Sequence, residues 1–259
     1  MFPIIDAHIH LDLYARTERL KILAEMDQAQ VEALICVSND VHSAEKVMEL
    51  ARRDTRVKPA IGFHPEQFLP TTTEMKMILS QIKQYQHDII AIGEVGLPYY
   101  KRQKEPSLDY GPYVELLEQF IKQAARLDKP IVLHAVYDDA PIVCDLLEKH
   151  NLINAHFHWF KGDQQTITRM IDNGYFISIT PDCLYEEEIQ TIIKSYPLNQ
   201  MMVETDGPWP FEGSISKEKT HPKMIHQSIE KIAELKQLPI SEVYQVVYQN
   251  TKTFYRLEN

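Results

Sequence analysis

A chain of 259 residues with 44% apolar and 25% charged side chains has the balance of a globular protein with a large core, and its length suits one large α/β domain or two small ones. No apolar run approaches the roughly 18 residues of a membrane span. No basic segment with a cleavage site opens the chain, and Cys36, Cys144 and Cys183 have no paired spacing, so the expectation is a cytoplasmic protein with free thiols and no membrane association. A formal charge of −10 argues against non-specific wrapping of nucleic acid, which needs surplus Lys and Arg. It leaves open a nuclease in which divalent metals and a few local cations receive a phosphodiester.

In chain order, short apolar, β-branched runs occupy residues 4–8, 33–38, 58–63, 89–94, 131–134, 154–158, 175–179 and 201–205. They are continuous rather than alternating, the pattern of parallel strands covered on both faces. Amphipathic stretches fill the intervals at 16–28, 43–53, 73–86, 110–127, 139–150, 164–173 and 186–196. In the fourth of these, Leu116, Leu117, Phe120, Ile121, Ala124 and Leu127 mark one apolar face at spacings of three and four. After the eighth run, 219–238 and 241–255 predict two closing helices, the second with Ser241 as its N-cap.

Strict alternation of eight strands with helices predicts an α/β fold: a single (β/α)8 TIM-type barrel domain over residues 1–259, with extra C-terminal helices. A doubly wound open sheet competes, but it calls for a Gly-rich first turn, and the chain has eight glycines and no G-x-G-x-x-G. The longest irregular pieces, 96–109 and 207–220, both follow strands, where a barrel carries its functional loops.

Candidate ligands stand at the ends of these strands. His8 and His10 close the first, and strict alternation would point both the same way as Asp6. Alone, a His-x-His is as readily a satisfied core residue beside a loop residue. Yet His64 ends the third run, Glu94 the fourth, His134 the fifth, His156 and His158 the sixth, and Glu204 and Asp206 the eighth. A parallel barrel converges all these ends on one rim. Imidazole and carboxylate suit zinc, manganese and similar ions. Four or more imidazoles with two carboxylates exceed one tetrahedral zinc, so two metals sharing a carboxylate is the natural count. His156 reads as a core residue one layer deeper, and Glu204 as a partner behind Asp206. Lys101, Arg102, Lys104, Lys161, Lys217 and Lys219 follow strands and would together make a positive collar. Tyr99, Tyr100, Trp159, Trp209 and Phe211, interleaved there, fit base stacking and a capped barrel mouth equally well.

The segments His8-Ile9-His10, Gly93-Glu94-Val95-Gly96-Leu97, Pro130-Ile131-Val132-Leu133-His134, His158-Trp159-Phe160-Lys161-Gly162 and Glu204-Thr205-Asp206-Gly207-Pro208-Trp209 resemble, in order, those of the TatD-like metal-dependent hydrolases of the amidohydrolase superfamily. The resemblance implies one metal held by His8, His10, Glu94 and Asp206, and Glu94 bridging to a second held by His134 and His158. It implies that His64, in Gly62-Phe63-His64-Pro65, meets a substrate phosphate, and that the reaction is metal-dependent hydrolysis of phosphodiesters, mostly in DNA. The substrate-side pattern departs from the family at Glu66, where a second His is usual, at Pro98, where an Asp is usual, at Val136, where an Arg is missing near His134, and in the segment around His221.

The resulting expectation is a hydrolase with two divalent ions (Zn, Mg or Mn) acting on a phosphodiester, DNA first among the candidates. Asp206 and Glu94 would be the catalytic carboxylates, with His64, Lys161, Lys101 and Arg102 on the substrate. Two rivals use the same residues: a C–N or C–O hydrolase of cyclic amides or lactones, and a non-catalytic barrel serving as a subunit of an assembly. No Lys ends a strand to serve as the carboxylated bridge that many such amide hydrolases carry, which favours the phosphodiester reading.

Overall fold

The computed structural model describes residues 2–257. Eight strands, β1 (Ile4–Ile9), β2 (Val31–Val37), β3 (Val57–Ile61), β4 (Ala91–Gly96), β5 (Ile131–His134), β6 (Ala155–Phe157), β7 (Phe176–Ile179) and β8 (Met201–Val203), lie in one sheet in sequential order. Each pairs in parallel with the next. The outer strands meet beyond their ends: the Asp206 N–H donates to the His8 carbonyl at 2.9 Å and the His10 N–H to the Gly207 carbonyl at 2.8 Å. The sheet is therefore rolled into a TIM-type barrel, and its seam is drawn together at the level of the candidate ligands.

The helices are α1 (Arg16–Glu25), α2 (Val41–Arg53), α3 (Thr72–Gln84), α4 (Tyr99–Lys104), α5 (Gly111–Leu127), α6 (Asp139–Lys149), α7 (Gln164–Asp172), α8 (Glu187–Ser195), α9 (Ile225–Lys236) and α10 (Ile240–Phe254). No helix among the described residues is long and apolar enough to cross a membrane. The continuous apolar runs serve two cores at once. Ile4, Leu34, Cys36, Ile61, Ile92 and Leu133 pack outward on the helices. Ile5, Ala7, Ile35, Val37, Ala60, Ala91, Val132 and Met202 fill the barrel, and Phe254 and Tyr255 from the end of the chain join them.

Four local expectations are corrected. α4 forms inside the stretch read as irregular, because the Glu66 carboxylate accepts the N–H groups of Tyr100 and Lys101 in its first turn, at 2.8 and 2.6 Å. α9 starts at Ile225, not near 219: His221 is extended, its Nδ1 accepts the Lys223 N–H, and Pro222–Met224 is a separate 3-10 turn. Ser241 caps nothing, since Pro239 precedes the first residue of α10 and Ser241 lies within its first turn. Asp6 parts from His8 and His10, because β1 shifts register between Asp6 and Ile9. Its buried carboxylate accepts from the N–H and hydroxyl of Thr205 and from the His8 N–H, tying β1 to the end of β8.

Glycine sets the spacing of the strands that carry ligands. A Cβ on Gly96 would lie 1.9 Å from the His134 carbonyl oxygen, and one on Gly62 would lie 2.4 Å from that of Glu94. Backbone cannot yield as a flexible side chain can. Gly96→Ala should therefore destabilise the fold by roughly 1–3 kcal/mol, the usual cost of overpacking, lowering the thermal midpoint by about 2–4 °C per kcal/mol in a chain of this size. A midpoint in differential scanning calorimetry equal to that of the unmodified chain would show that β4 and β5 are not in such close register.

Candidate metal centre

The same kind of register shift that turns Asp6 away aims the ligands inward. β4 also shifts, between Ile92 and Val95, and Glu94 lies within that irregularity. Bulges of this kind re-aim single side chains beside functional sites. His8 and His10 then bring their Nε2 atoms within 3.4 Å of each other. Glu94 Oε2 lies 3.3 Å from the first and 3.1 Å from the second, and Asp206 Oδ1 lies 3.3 Å from both. Atoms about 2.0–2.1 Å from a shared tetrahedral zinc stand about 3.3–3.4 Å apart. Each of the two carboxylate oxygens stands at about that spacing from both imidazoles.

The other oxygen of Glu94 faces a second set. Oε1 lies 2.7 Å from His158 Nε2, 3.1 Å from His134 Nδ1 and 3.4 Å from His64 Nε2, with His134 Nδ1 and His158 Nε2 3.3 Å apart. The structure thus brings His8, His10, Glu94, His134, His158 and Asp206 together, with His64 at their edge. Three overlapping donor clusters result: His8–His10–Glu94, His64–Glu94–His134 and His8–His158–Glu204.

Electrostatics agree with a cation site. Burial favours the neutral form of Glu94, yet the imidazoles of His64, His158 and His8 hold its carboxyl well below the usual range. Burial alone would lower His10, but Asp206 and Glu94 against it lift it to about 10. Anionic carboxylates held among imidazoles in a buried site are a donor set that exchanges protons for a divalent ion. Oδ1 of Asp206 and Oε2 of Glu94 are buried without a hydrogen-bond donor, as a ligand atom requires. Asp206 adopts φ +48°, a left-handed conformation unfavourable for a side chain, and its N–H bond to β1 holds it there.

Behind this set runs a chain of buried hydrogen bonds. Ser178 Oγ donates to Glu204 Oε2 at 2.5 Å, so it must accept from His156 Nε2, also at 2.5 Å. His156 Nδ1 is then the acceptor for the Tyr255 hydroxyl at 2.7 Å. Glu204 Oε1 takes the Trp159 N–H at 2.8 Å and lies 3.7 Å from His158 Nδ1. Glu204 therefore lies beside His158, not behind Asp206 as expected, and makes no hydrogen bond to the His158 ring; His156 is a core residue that points the chain's donors toward Glu204.

A cavity of about 800 Å³ opens over the two sets, lined by Leu13, Asn39, His64, Glu66, Tyr100, Lys101, Lys104, His134, Trp159, Asp206 and Trp209 among others. Part of the expected collar stands at the cavity. Lys101 and Lys104 line the cavity, with Lys101 Nζ 3.3 Å from Glu105. Arg102 is held by Asp139 at 2.6 Å and lies over the Tyr110 ring. Lys161 lies 5.9 Å from the Trp159 ring centre, and Lys219 pairs with Glu18. The departures have places as well. Glu66, besides holding α4, brings Oε1 within 3.3 Å of His134 Nε2. Pro98 precedes α4 as its N-cap, Val136 lines the cavity, and His221 Nε2 lies 3.4 Å from Glu25. Residue-type reading missed the contributions of Glu66, Ser178 and Tyr255. Ser178 alone gave a signal, as a polar residue within an apolar strand.

Imidazoles and carboxylates at the strand ends of a (β/α)8 barrel, beneath an open cavity, define a metal-dependent hydrolase. The family model described as TatD related DNase matches residues 5–256. The chain belongs to the TatD family. It is 39% identical over 259 residues to an uncharacterized metal-dependent hydrolase of Haemophilus influenzae, covering 98% of this chain and 100% of that one. It is 30% identical over 266 residues to human deoxyribonuclease TATDN3, covering 99% and 96%. The crystal structure of YJJV, a TatD homolog from Escherichia coli, superposes with a TM-score of 0.85 over 98% of both chains at 24% identity, which shows the shared fold.

If Glu204 orients His158 through the buried chain, Ser178→Ala should weaken metal binding at the set containing His158 by about 10- to 100-fold, the usual effect of losing such a partner. The set of His8, His10 and Asp206 should keep its affinity. Metal titration followed by calorimetry checks this, and equal affinity of both sets for the variant and the parent chain would remove the chain's assigned role.

Proposed function

We propose that the chain works as one hydrolase domain that cleaves phosphodiesters of nucleic acid, DNA first, with two divalent ions. The observation that carries this reading is Glu94, whose Oε2 faces His8 and His10 while its Oε1 faces His134 and His158. His8, His10, Glu94 and Asp206 would hold one ion, and Glu94, His134 and His158 the other. Ions held there supply Lewis acidity toward the phosphoryl group and a lowered pKa for the attacking water.

The remaining work falls to side chains. Asp206 lines the cavity, and its neighbours His10 and His8 hold its carboxyl in the anionic form, so it serves as the base that takes the proton of the attacking water. Burial lowers His64 to about 4, which keeps it neutral. Its Nδ1 accepts the Glu66 N–H at 3.2 Å, so Nε2 carries the hydrogen and can donate to a non-bridging phosphate oxygen. Lys101 and Lys104 add positive charge on the same wall. Arg102 and Lys161 serve the substrate indirectly in this reading, by holding Asp139 and flanking Trp159. The buried, unpaired Cys36, Cys144 and Cys183 accord with a cytoplasmic setting.

Two variants test the assignment. Asp206→Asn keeps the shape and an oxygen but cannot take a proton, so kcat should fall by about 10²- to 10⁴-fold with KM little changed and most of the metal retained. Turnover within a few-fold of the parent chain, with metal bound, would assign the base elsewhere. Glu94→Ala should lose metal from both sets, measured by elemental analysis after gel filtration. Full metal content in that variant would sink the bridged arrangement.

A further inference from the structure

We infer that the cavity engages one phosphodiester and the base on either side of it, so that a dinucleotide is as good a substrate as a long strand. The inference rests on the phosphodiesterase reading above and narrows it.

Proteins that track a polynucleotide neutralise several phosphates in succession. This chain presents the opposite balance. The loops that follow the strands, and so form the face around the cavity, carry more Asp and Glu than Lys and Arg. Lys104 lines the cavity beside Lys101, but other cations on this face are already matched. Lys101 faces Glu105, Arg102 is held by Asp139, and Lys219 pairs with Glu18. A phosphate at the two donor sets would meet the bound ions, His64 and the lysines of α4. The next phosphate along a strand would meet a face of net negative charge, within a chain of formal charge −10.

The shape points the same way. At about 800 Å³ the cavity falls within the size range of small-ligand sites. Tyr100, 42% exposed, and Trp209, 48% exposed, both line it. They follow β4 and β8, strands four places apart in a ring of eight, and so stand on opposite sides of the mouth. Two such faces with the donor sets between them offer one stacking surface to each base flanking a central phosphate.

The test uses the full chain loaded with Mn²⁺. The substrates are a thymidine dinucleotide, single strands of oligothymidylate spanning the roughly 4–16 nucleotides of a single-strand groove, and bis(4-nitrophenyl) phosphate. Each is assayed between about 50 and 200 mM salt. For the nucleotides, kcat/KM should agree within about threefold from dinucleotide to longest strand, with a log–log salt slope near −0.7, the value for one phosphate. Tyr100→Ala and Trp209→Ala should each raise KM about tenfold or more, the worth of one stacked base. Lengthening the strand should not restore it. A kcat/KM that climbs tenfold with length, a slope of about −2 or steeper, or rescue of either variant by longer strands would overturn the inference and leave the phosphodiesterase reading intact. Hydrolysis of none of the substrates, bis(4-nitrophenyl) phosphate included, would overturn both.

Discussion

Everything at the strand ends turns on one buried carboxylate. Glu94 is fully buried and faces five imidazoles, those of His8 and His10 through one oxygen and those of His64, His134 and His158 through the other. A lone carboxylate at that depth would take up a proton to escape the cost of desolvation. Surrounded this way it stays anionic. The register shift in β4, Gly96 against the His134 carbonyl and Gly62 against the Glu94 carbonyl are all conditions for placing that one side chain.

The metal side of the site and its substrate side obey different constraints. Donor sets for an ion tolerate displacements of a few tenths of an ångström, so their residues rise from strand ends fixed by the barrel. The wall of the cavity is built from loops and the short helix α4. By accepting two N–H groups of α4 while touching His134, Glu66 joins wall and centre through one side chain. Two of the departures, Glu66 and Pro98, thus meet at α4, while His221 faces Glu25 away from them.

Much of the fold was legible because most strands are largely apolar runs and most of the longer helices have one apolar face, patterns set by burial on both faces and on one. The ligand types at the strand ends were legible for a related reason: histidines and carboxylates that end buried runs stand out against their surroundings. Asp6 was misread because alternation holds only for a regular strand, and the shift in β1 leaves no mark in residue types. The positive collar is present in part: Lys101 and Lys104 line the cavity, while Arg102 and Lys219 face carboxylates. Arg102 and Lys219 have partners whose nearness depends on how the loops fold, and spacing along the chain does not carry that information. α4 escaped notice because its first turn is satisfied by Glu66, 34 and 35 positions away. The link from Tyr255 to Glu204 joins α10 to the centre through contacts that no local pattern encodes.

The seam between β1 and β8 bears on how the protein is made. Asp6 and Thr205, which bind each other across it, are separated by 199 positions, and His8 and Asp206 stand beside them. During synthesis at about 5–20 residues per second, the His-x-His pair is made roughly 10–40 s before Asp206. The donor set of His8, His10, Glu94 and Asp206 is therefore complete only after the eighth strand has been made, so one end of the site waits for nearly the whole chain.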